Sequence, residues 1–337
     1  MIEGHGDDLF RFNEKIRINF STNIPQNVNH DALLDHLRAC GAIFSNYPEP
    51  EPRSVERHLA EIHGLWPEQV IVTNGATEAI YLLAHLFAGK KSAILAPTFR
   101  EYQDAARLFS HSVTFINSIN EIDGHEADVV WLCNPNNPTG QVFERTLLLE
   151  MVDKCLDKTF IIDQAYALYS VKPVLTEKDV EDRENLIALH SLTKQFMVPG
   201  LRIGYATGPV KIINAMRWLK MPWSVNSLAI AASHFLLDHR NEYKVDYLTL
   251  HSEAERLTAS LRSLGISAVP TDCNFLLALL PFGTASDLKN WLVEKHGILI
   301  RDASNFEGLT PDYFRIAAQS REENDLFIKS MKEWMSL

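Results

Sequence analysis

The chain has 337 residues, too many for one compact core and enough for two domains. Hydrophobic residues make up 46% and charged residues 22%, an ordinary globular composition that excludes disorder and fibre. The formal net charge of −11 disfavours nucleic acid as a partner, so any anion site must be a local cluster of cations and backbone N–H groups.

The four cysteines, Cys40, Cys133, Cys155 and Cys273, are widely spaced and form no C-x-x-C pair. They make neither a disulfide framework nor a zinc knuckle, which fits a reducing compartment. The start MIEGHGDDLFRF carries acids where a secretion signal needs a basic start and an apolar run. No stretch approaches the ~20 apolar residues of a membrane span. A cytoplasmic chain with no membrane partner is expected.

In chain order, residues 1–45 are expected to pack with a smaller domain, and residues 46–235 to form a large one. Strands are predicted at 69–73, 92–96, 112–116, 128–133, 159–163, 186–190 and 203–207. Several are apolar throughout, as strands buried on both faces should be. Helices are predicted between them at 78–87, 101–109 and 146–156. This alternation implies an α/β fold, with a mostly parallel seven-stranded sheet covered by helices and ligands bound beyond the carboxyl ends of its strands.

Four segments at those strand ends can carry chemistry. Thr73-Asn74-Gly75-Ala76-Thr77-Glu78 joins the first strand to its helix, where the N–H groups of Gly75, Ala76 and Thr77 form an anion cradle. Alone it reads as an ordinary turn, and it has neither Walker nor dinucleotide glycine spacing. Asn134-Pro135-Asn136-Asn137-Pro138-Thr139-Gly140 follows the fourth strand and holds the Asn137 amide in a proline-fixed loop. Asp163, in Asp163-Gln164-Ala165-Tyr166, closes a buried strand, where an unpaired carboxylate is costly and suits a cation, although in isolation an Asp hydrogen-bonded to local backbone is the stronger reading.

The fourth segment runs from His190 to Tyr205. It places Lys194 in an apolar stretch, where desolvation and nearby cations turn a lysine into a usable amine nucleophile. Arg202 adds a fixed cationic fork suited to phosphate. Ser191 and Lys194 also spell S-x-x-K, but the S-D-N and K-T-G partners of a serine acyl-enzyme do not occur.

Beyond about residue 224 the pattern is helical for nearly forty residues. Residues 236–337 are expected to supply a long connecting helix and a smaller α/β domain. Its predicted strands are 274–280, 297–301 and 313–317, and its predicted helices 285–295 and 322–335.

The segments N-P-x-N-P-T-G, D-x-A-Y and S-x-T-K-x-F-x-x-P-G-L-R-x-G-Y stand in the order and at about the spacing of the class I/II aminotransferase family, the fold-type I pyridoxal-phosphate (PLP) enzymes, which the whole chain resembles. The resemblance implies PLP as cofactor, with Lys194 as the Schiff-base lysine and Asp163 paired with the ring nitrogen. It places Asn137 and Tyr166 on the phenolic oxygen. Gly75, Ala76, Thr77, Ser191 and Arg202 would hold the cofactor phosphate. Tyr102 matches the ring-stacking aromatic, and as a residue type it equally suits a helix core. Arg315 matches the arginine that grips the substrate carboxylate.

Within the family, Asn46-Tyr47-Pro48-Glu49-Pro50 is similar to the histidinol-phosphate aminotransferase group. There the tyrosine reaches a partner subunit's cofactor, which implies a homodimer with Tyr47 acting in trans. His5-Gly6-Asp7-Asp8 is similar to the H-G-G-N start of threonine-phosphate decarboxylases, and the segment from Arg301 to Leu309 to their R-D-C-S-x-F-x-G-L. These matches add His5 and Arg301 as substrate-binding residues. They imply a small phosphorylated amino acid as substrate, L-threonine-O-3-phosphate decarboxylation as the activity and cobalamin biosynthesis as its setting. Histidinol-phosphate or related transamination is the alternative. A PLP-binding regulator without turnover is more distant, because such proteins carry a further DNA-binding domain and this chain keeps its lysine, aspartate and carboxylate arginine.

Overall fold

A computed structural model describes residues 6–12, 15–26 and 28–337. In chain order the strands are β1 (Ile18–Asn19), β2 (Val70–Thr73), β3 (Lys91–Leu95), β4 (Ser112–Ile116), β5 (Val129–Cys133), β6 (Thr159–Asp163), β7 (Leu186–His190), β8 (Gly204–Thr207), β9 (Ser267–Ala268), β10 (Phe275–Leu279), β11 (Ile298–Leu299), β12 (Arg301–Asp302) and β13 (Tyr313–Ala317). Seven of them form one sheet in the order β2-β8-β7-β6-β5-β3-β4. All its pairings are parallel except those of β8, which runs antiparallel to β2 and β7. The fold is the expected α/β arrangement.

Successive strand residues face opposite sides. Trp131, Ile161, Ile187 and Leu189 enter one core with Ile80 and Leu83 of the helix Gly75–Leu86 and Met216 of the helix Val210–Leu219. Val130, Leu132, Phe160, Ile162 and Ala188 enter the other, with Leu148 and Val152 of the helix Arg145–Lys154. Burying each large side chain contributes about 1.5–3 kcal/mol, which is why these strands read as unbroken apolar runs. In register, Cys133 faces Asp163, and Asp163 faces Leu189. The carboxyl ends of β5, β6 and β7 therefore meet on one rim.

The second sheet, β12-β13-β10-β9, is antiparallel. Leu276, Phe314 and Ile316 turn one face onto Leu257, Leu292 and Phe327 of the C-terminal helices. Arg315, between Phe314 and Ile316, therefore points off the opposite face. The segment before residue 46 touches both bodies. β1 pairs in parallel with β11 and Phe20 enters the small-sheet core, whereas Leu33 packs with Val55, Leu59 and Val70.

Two expectations are corrected. The long connecting helix is two helices, Ser227–Asp238 and Tyr247–Ser263. The largely polar run 239–246 between them offers no continuous apolar face, and Asp246 caps the second helix by accepting from the Thr249 N–H at 3.1 Å. The strand expected at 297–301 is split into β11 and β12, because its two halves pair with different strands, β1 and β13. Among the described residues no helix is long and apolar enough to cross a membrane.

Candidate active site

A cavity of about 430 Å³ opens at the rim where β5, β6 and β7 end. Lys194, Asp163, Tyr166, Tyr102, Asn137, Ala76, Thr77, Ser191, Arg202 and Arg315 all line it. The strand ends supply most of these side chains, the small sheet supplies Arg315, and the N-terminal segment adds Gly6, Asp7 and residues 21–23.

One end of the cavity is an anion cradle. The helix Gly75–Leu86 begins there, and the N–H groups of its first turn have no intrahelical acceptor. Gly75 takes φ +77°, and a Cβ on it would lie 2.5 Å from Arg202 Nη2, so only glycine lets the guanidinium lie against this turn. Arg202 also donates to the Pro199 carbonyl at 3.1 Å. The Ser191 and Thr193 hydroxyls meet at 2.7 Å beside it.

Asp163, at the end of β6, is 5% exposed. Its Oδ2 accepts from the Tyr102 hydroxyl at 2.7 Å and its Oδ1 from the Ala165 N–H at 2.9 Å. Burial pushes its carboxyl up against the opposing pull of these donors and of Lys194. Tyr102 lies with one ring face on Trp131, centroids 5.8 Å apart, and turns its hydroxyl edge to the cavity. Lys194 is half-buried and lines the cavity. Burial, and then the charges of Arg315 and Arg202, bring that amine down to about 8, opposed by Asp7 and Asp163. Burial pushes the Tyr166 phenol up to about 12.

The loop 134–140 is pinned from within. The Asn134 amide oxygen accepts from the Phe143 N–H at 2.8 Å, and the Asn136 amide donates to the Pro97 carbonyl and the Thr139 hydroxyl, each at 2.9 Å. Asn137 is thereby presented to Arg315, whose Nη1 donates to its Oδ1 at 2.5 Å. Arg315 Nη2 donates to the Ser21 carbonyl, and the guanidinium lies 6.0 Å from the Phe275 ring centroid.

Arg301 is the direct cross-strand neighbour of Arg315. It donates to the Asp302 carbonyl at 2.6 Å and to Asn305 Oδ1 at 2.5 Å, and it helps line a recess of about 30 Å³ shared with Gly6, Asn137 and Arg315. Each arginine is 5% exposed. Burial lowers Arg301 to about 9 and Arg315 to about 10, so both remain cations at neutral pH. Among the described residues neither pairs with a carboxylate. Like charges directly opposite in a sheet are destabilising, so the pair is poised to receive anions.

Tyr47 does not line this cavity. Tyr47 is 87% exposed and lines a separate groove with Ile43, Pro48 and Ile230. His5 lies outside the described residues. Sequence reasoning also missed Ser21, Thr22 and Asn23, which are buried in the cavity wall although polar. Their signal was a polar triplet between the apolar Phe20 and Ile24. Thr193 was inside the lysine motif but was not assigned a role.

The donor set suits PLP. There is a cationic cradle with free N–H groups for a phosphate, a buried carboxylate for a ring nitrogen, and an amine of lowered basicity between them. Arg315 Nε and both polar atoms of the Asn23 amide also lack a hydrogen-bond partner in the wall, although Asn23 stands beside the Tyr166 hydroxyl.

The family model for aminotransferase class I and II matches residues 15–331. A threonine-phosphate decarboxylase of Salmonella typhimurium is 30% identical over 338 residues, covering 94% of this chain and 90% of that protein. A histidinol-phosphate aminotransferase of Caldanaerobacter subterraneus subsp. tengcongensis is 31% identical over 306 residues, covering 86% and 84%. The crystal structure of L-threonine-O-3-phosphate decarboxylase from Porphyromonas gingivalis superposes with a TM-score of 0.93 at 35% identity, covering 95% of this chain and 100% of that one. The chain belongs to the class I and II aminotransferase family, and it is an enzyme that uses PLP.

Proposed function

We propose that this PLP enzyme acts on a small phosphorylated α-amino acid and decarboxylates L-threonine-O-3-phosphate. The observation that carries the reading is the buried cross-strand pair Arg301 and Arg315, two cations that make no direct ion pair among the described residues, with the Asp302 and Asp8 charges acting on Arg301 only from further off. Cross-strand side chains stand about 5 Å apart, so the pair suits a compact ligand with two anionic groups. Histidinol phosphate carries one anionic group and a bulky imidazole, and fits the pair less well. The likeness to the two threonine-phosphate decarboxylases supports the same choice.

In this reading the Gly75–Thr77 N–H groups, Ser191 and Arg202 hold the cofactor phosphate. Asp163 meets the ring nitrogen, Asn137 and Tyr166 meet the phenolic oxygen, and Lys194 attaches the group covalently. Bound there, PLP supplies an acceptor for the electron pair released when a bond to the substrate Cα breaks. Arg315 grips the carboxylate with a fixed fork, and Arg301 holds the substrate phosphate in the adjoining recess. Together they fix which Cα bond is presented for cleavage, which decides between decarboxylation and transamination. Lys194 Nζ, its basicity brought down to about 8, gives and takes protons.

Tyr47 stands exposed beside Trp223, their ring centroids 5.6 Å apart, in an apolar groove that a second copy of the chain would cover. A homodimer is part of this reading, and sedimentation of the holoenzyme tests it; a fully active monomer would refute it. For the reaction, the holoenzyme is incubated with phosphothreonine, and separately with histidinol phosphate and 2-oxoglutarate. Release of CO2 is scored against formation of glutamate. Glutamate without CO2 would overturn the decarboxylase reading and leave the cofactor in place.

A further inference from the structure

The cavity wall contains two carboxylates, Asp163 and Asp7. Both oxygens of Asp163 are engaged by Tyr102 and Ala165. Asp7 is different. It is exposed at the cavity mouth, with Oδ1 accepting from Asn19 Nδ2 at 2.6 Å and Oδ2 free of hydrogen bonds among the described residues. Its own N–H donates to the Ser21 hydroxyl at 2.9 Å.

The backbone around Asp7 is held on both sides. Asp8, which follows it, is buried and meets Lys289 Nζ at 2.6 Å. Gly6, which precedes it, lies so close to the Ser21 carbonyl, Arg315 and Arg301 that a Cβ there would come within 2.6, 3.2 and 3.4 Å of them. Asp7 itself takes φ +62°, a conformation that glycine adopts freely and a larger residue adopts at a cost. A strained residue that projects a half-free carboxylate into a cavity of cations points to a role for the carboxylate.

We propose that Asp7 is a positioning residue whose charge, held over the cavity mouth by Asn19, stabilises the protonated form of the nitrogen at Lys194. The charged groups around that nitrogen are Arg315 from the small sheet, Arg202 from the loop before β8, Asp163 from the end of β6 and Asp7 from the N-terminal segment. The phenol of Tyr166 also lines the wall. Two cations push the proton off, and Asp163 is already committed to its own donors. Asp7 is the counterweight with a carboxylate oxygen still to offer. Its effect is to keep a proton at the one atom that must pass it on.

The inference rests on Lys194 as the cofactor-bearing lysine and does not depend on which substrate is used. The test is a pH titration of the visible absorbance of the substrate-free holoenzyme, which follows protonation of the nitrogen at Lys194. One charge acting across a cavity, between the dielectric limits of protein and water, is expected to move the midpoint by roughly half a unit to one unit. Asp7→Asn and Asp7→Gly should lower it by that amount, Asp7→Glu should keep it, and the difference should shrink at high salt. Asp7→Gly suits the φ +62° backbone, so it carries the comparison if Asp7→Asn folds poorly. A purely structural role would move the melting temperature and leave the midpoint where it was. An unchanged or raised midpoint in both charge-removing variants overturns the proposal. A wild type with no visible band overturns it together with the assignment of Lys194.

Discussion

Gly75→Ala isolates what the anion cradle contributes, because the chain carries its own control. Gly75 and Gly89 take nearly the same backbone angle, φ +77° and +75°. A Cβ at Gly89 meets nothing within 4 Å, whereas one at Gly75 would lie 2.5 Å from Arg202 Nη2 and 3.2 Å from its Cζ. Both substitutions incur the left-handed backbone penalty of about 1–2 kcal/mol. Only Gly75→Ala must also push the guanidinium back by roughly 1 Å to reach ordinary contact distance near 3.5 Å. In the proposed reading that displacement costs Arg202 its charge-assisted contact with the cofactor phosphate, about 1.5–3 kcal/mol, or roughly 10- to 150-fold in PLP affinity. The measurements are thermal unfolding of both apo variants and PLP binding by absorbance titration. Both should melt a few degrees low, and only Gly75→Ala should bind PLP weakly. Equal PLP affinity in the two variants would show that Arg202 does not hold the phosphate.

Asp163→Asn should retain PLP but lose several kcal/mol of transition-state stabilisation, a fall in kcat of about 100-fold or more, because a neutral amide cannot hold the ring-nitrogen proton; near-wild-type turnover would place that partner elsewhere. Arg301→Ala should raise KM for a phosphorylated amino acid at least about 10-fold while changing that of its unphosphorylated counterpart little, and equal losses would remove Arg301 from the phosphate recess. Burial raises the Glu177 carboxyl, but its contact with His63, 3.0 Å from Nδ1, outweighs burial and leaves it at about 2. A depressed folded-state pKa contributes stability above the unfolded value near 4.3, and that stability is lost as pH falls from there through about 2. Urea melts from pH 7 down to pH 2.5 should therefore show Glu177→Gln losing less stability over the acid range than wild type; parallel curves would refute the coupling.

What could be read from the sequence follows from how each residue is brought to the site. Asp163, Lys194 and Asn137 lie at or just after the ends of β5, β6 and β7, whose both-face burial leaves unmistakable apolar runs. Local pattern therefore placed them on one rim before any tertiary contact was known. Arg315 was legible for a different reason, since only the family resemblance singled it out. Ser21–Asn23 and Asp7 were not, because they reach the cavity through the pairing of β1 with β11, across most of the chain, which no local periodicity encodes. The break at 239–246 escaped notice for a related reason. Helical propensity runs through it, whereas Tyr243 and Val245 turn into two different cores and Asp246 caps a new helix. Tyr102 shows where residue type misleads by being right twice, since the same ring serves the core through Trp131 and the cavity through Asp163.

The reversed direction of β8 has a mechanical consequence. In a wholly parallel sheet the chain leaving β7 would have to cross to the far rim before starting the next strand. Here it turns back at once, and the register pair His190 and Tyr205 ties both ends of the intervening segment together. Lys194 and Arg202 both hang from that one closed segment of chain. In the proposed reading one segment of chain thus carries both the attachment of the cofactor and a cation for its phosphate.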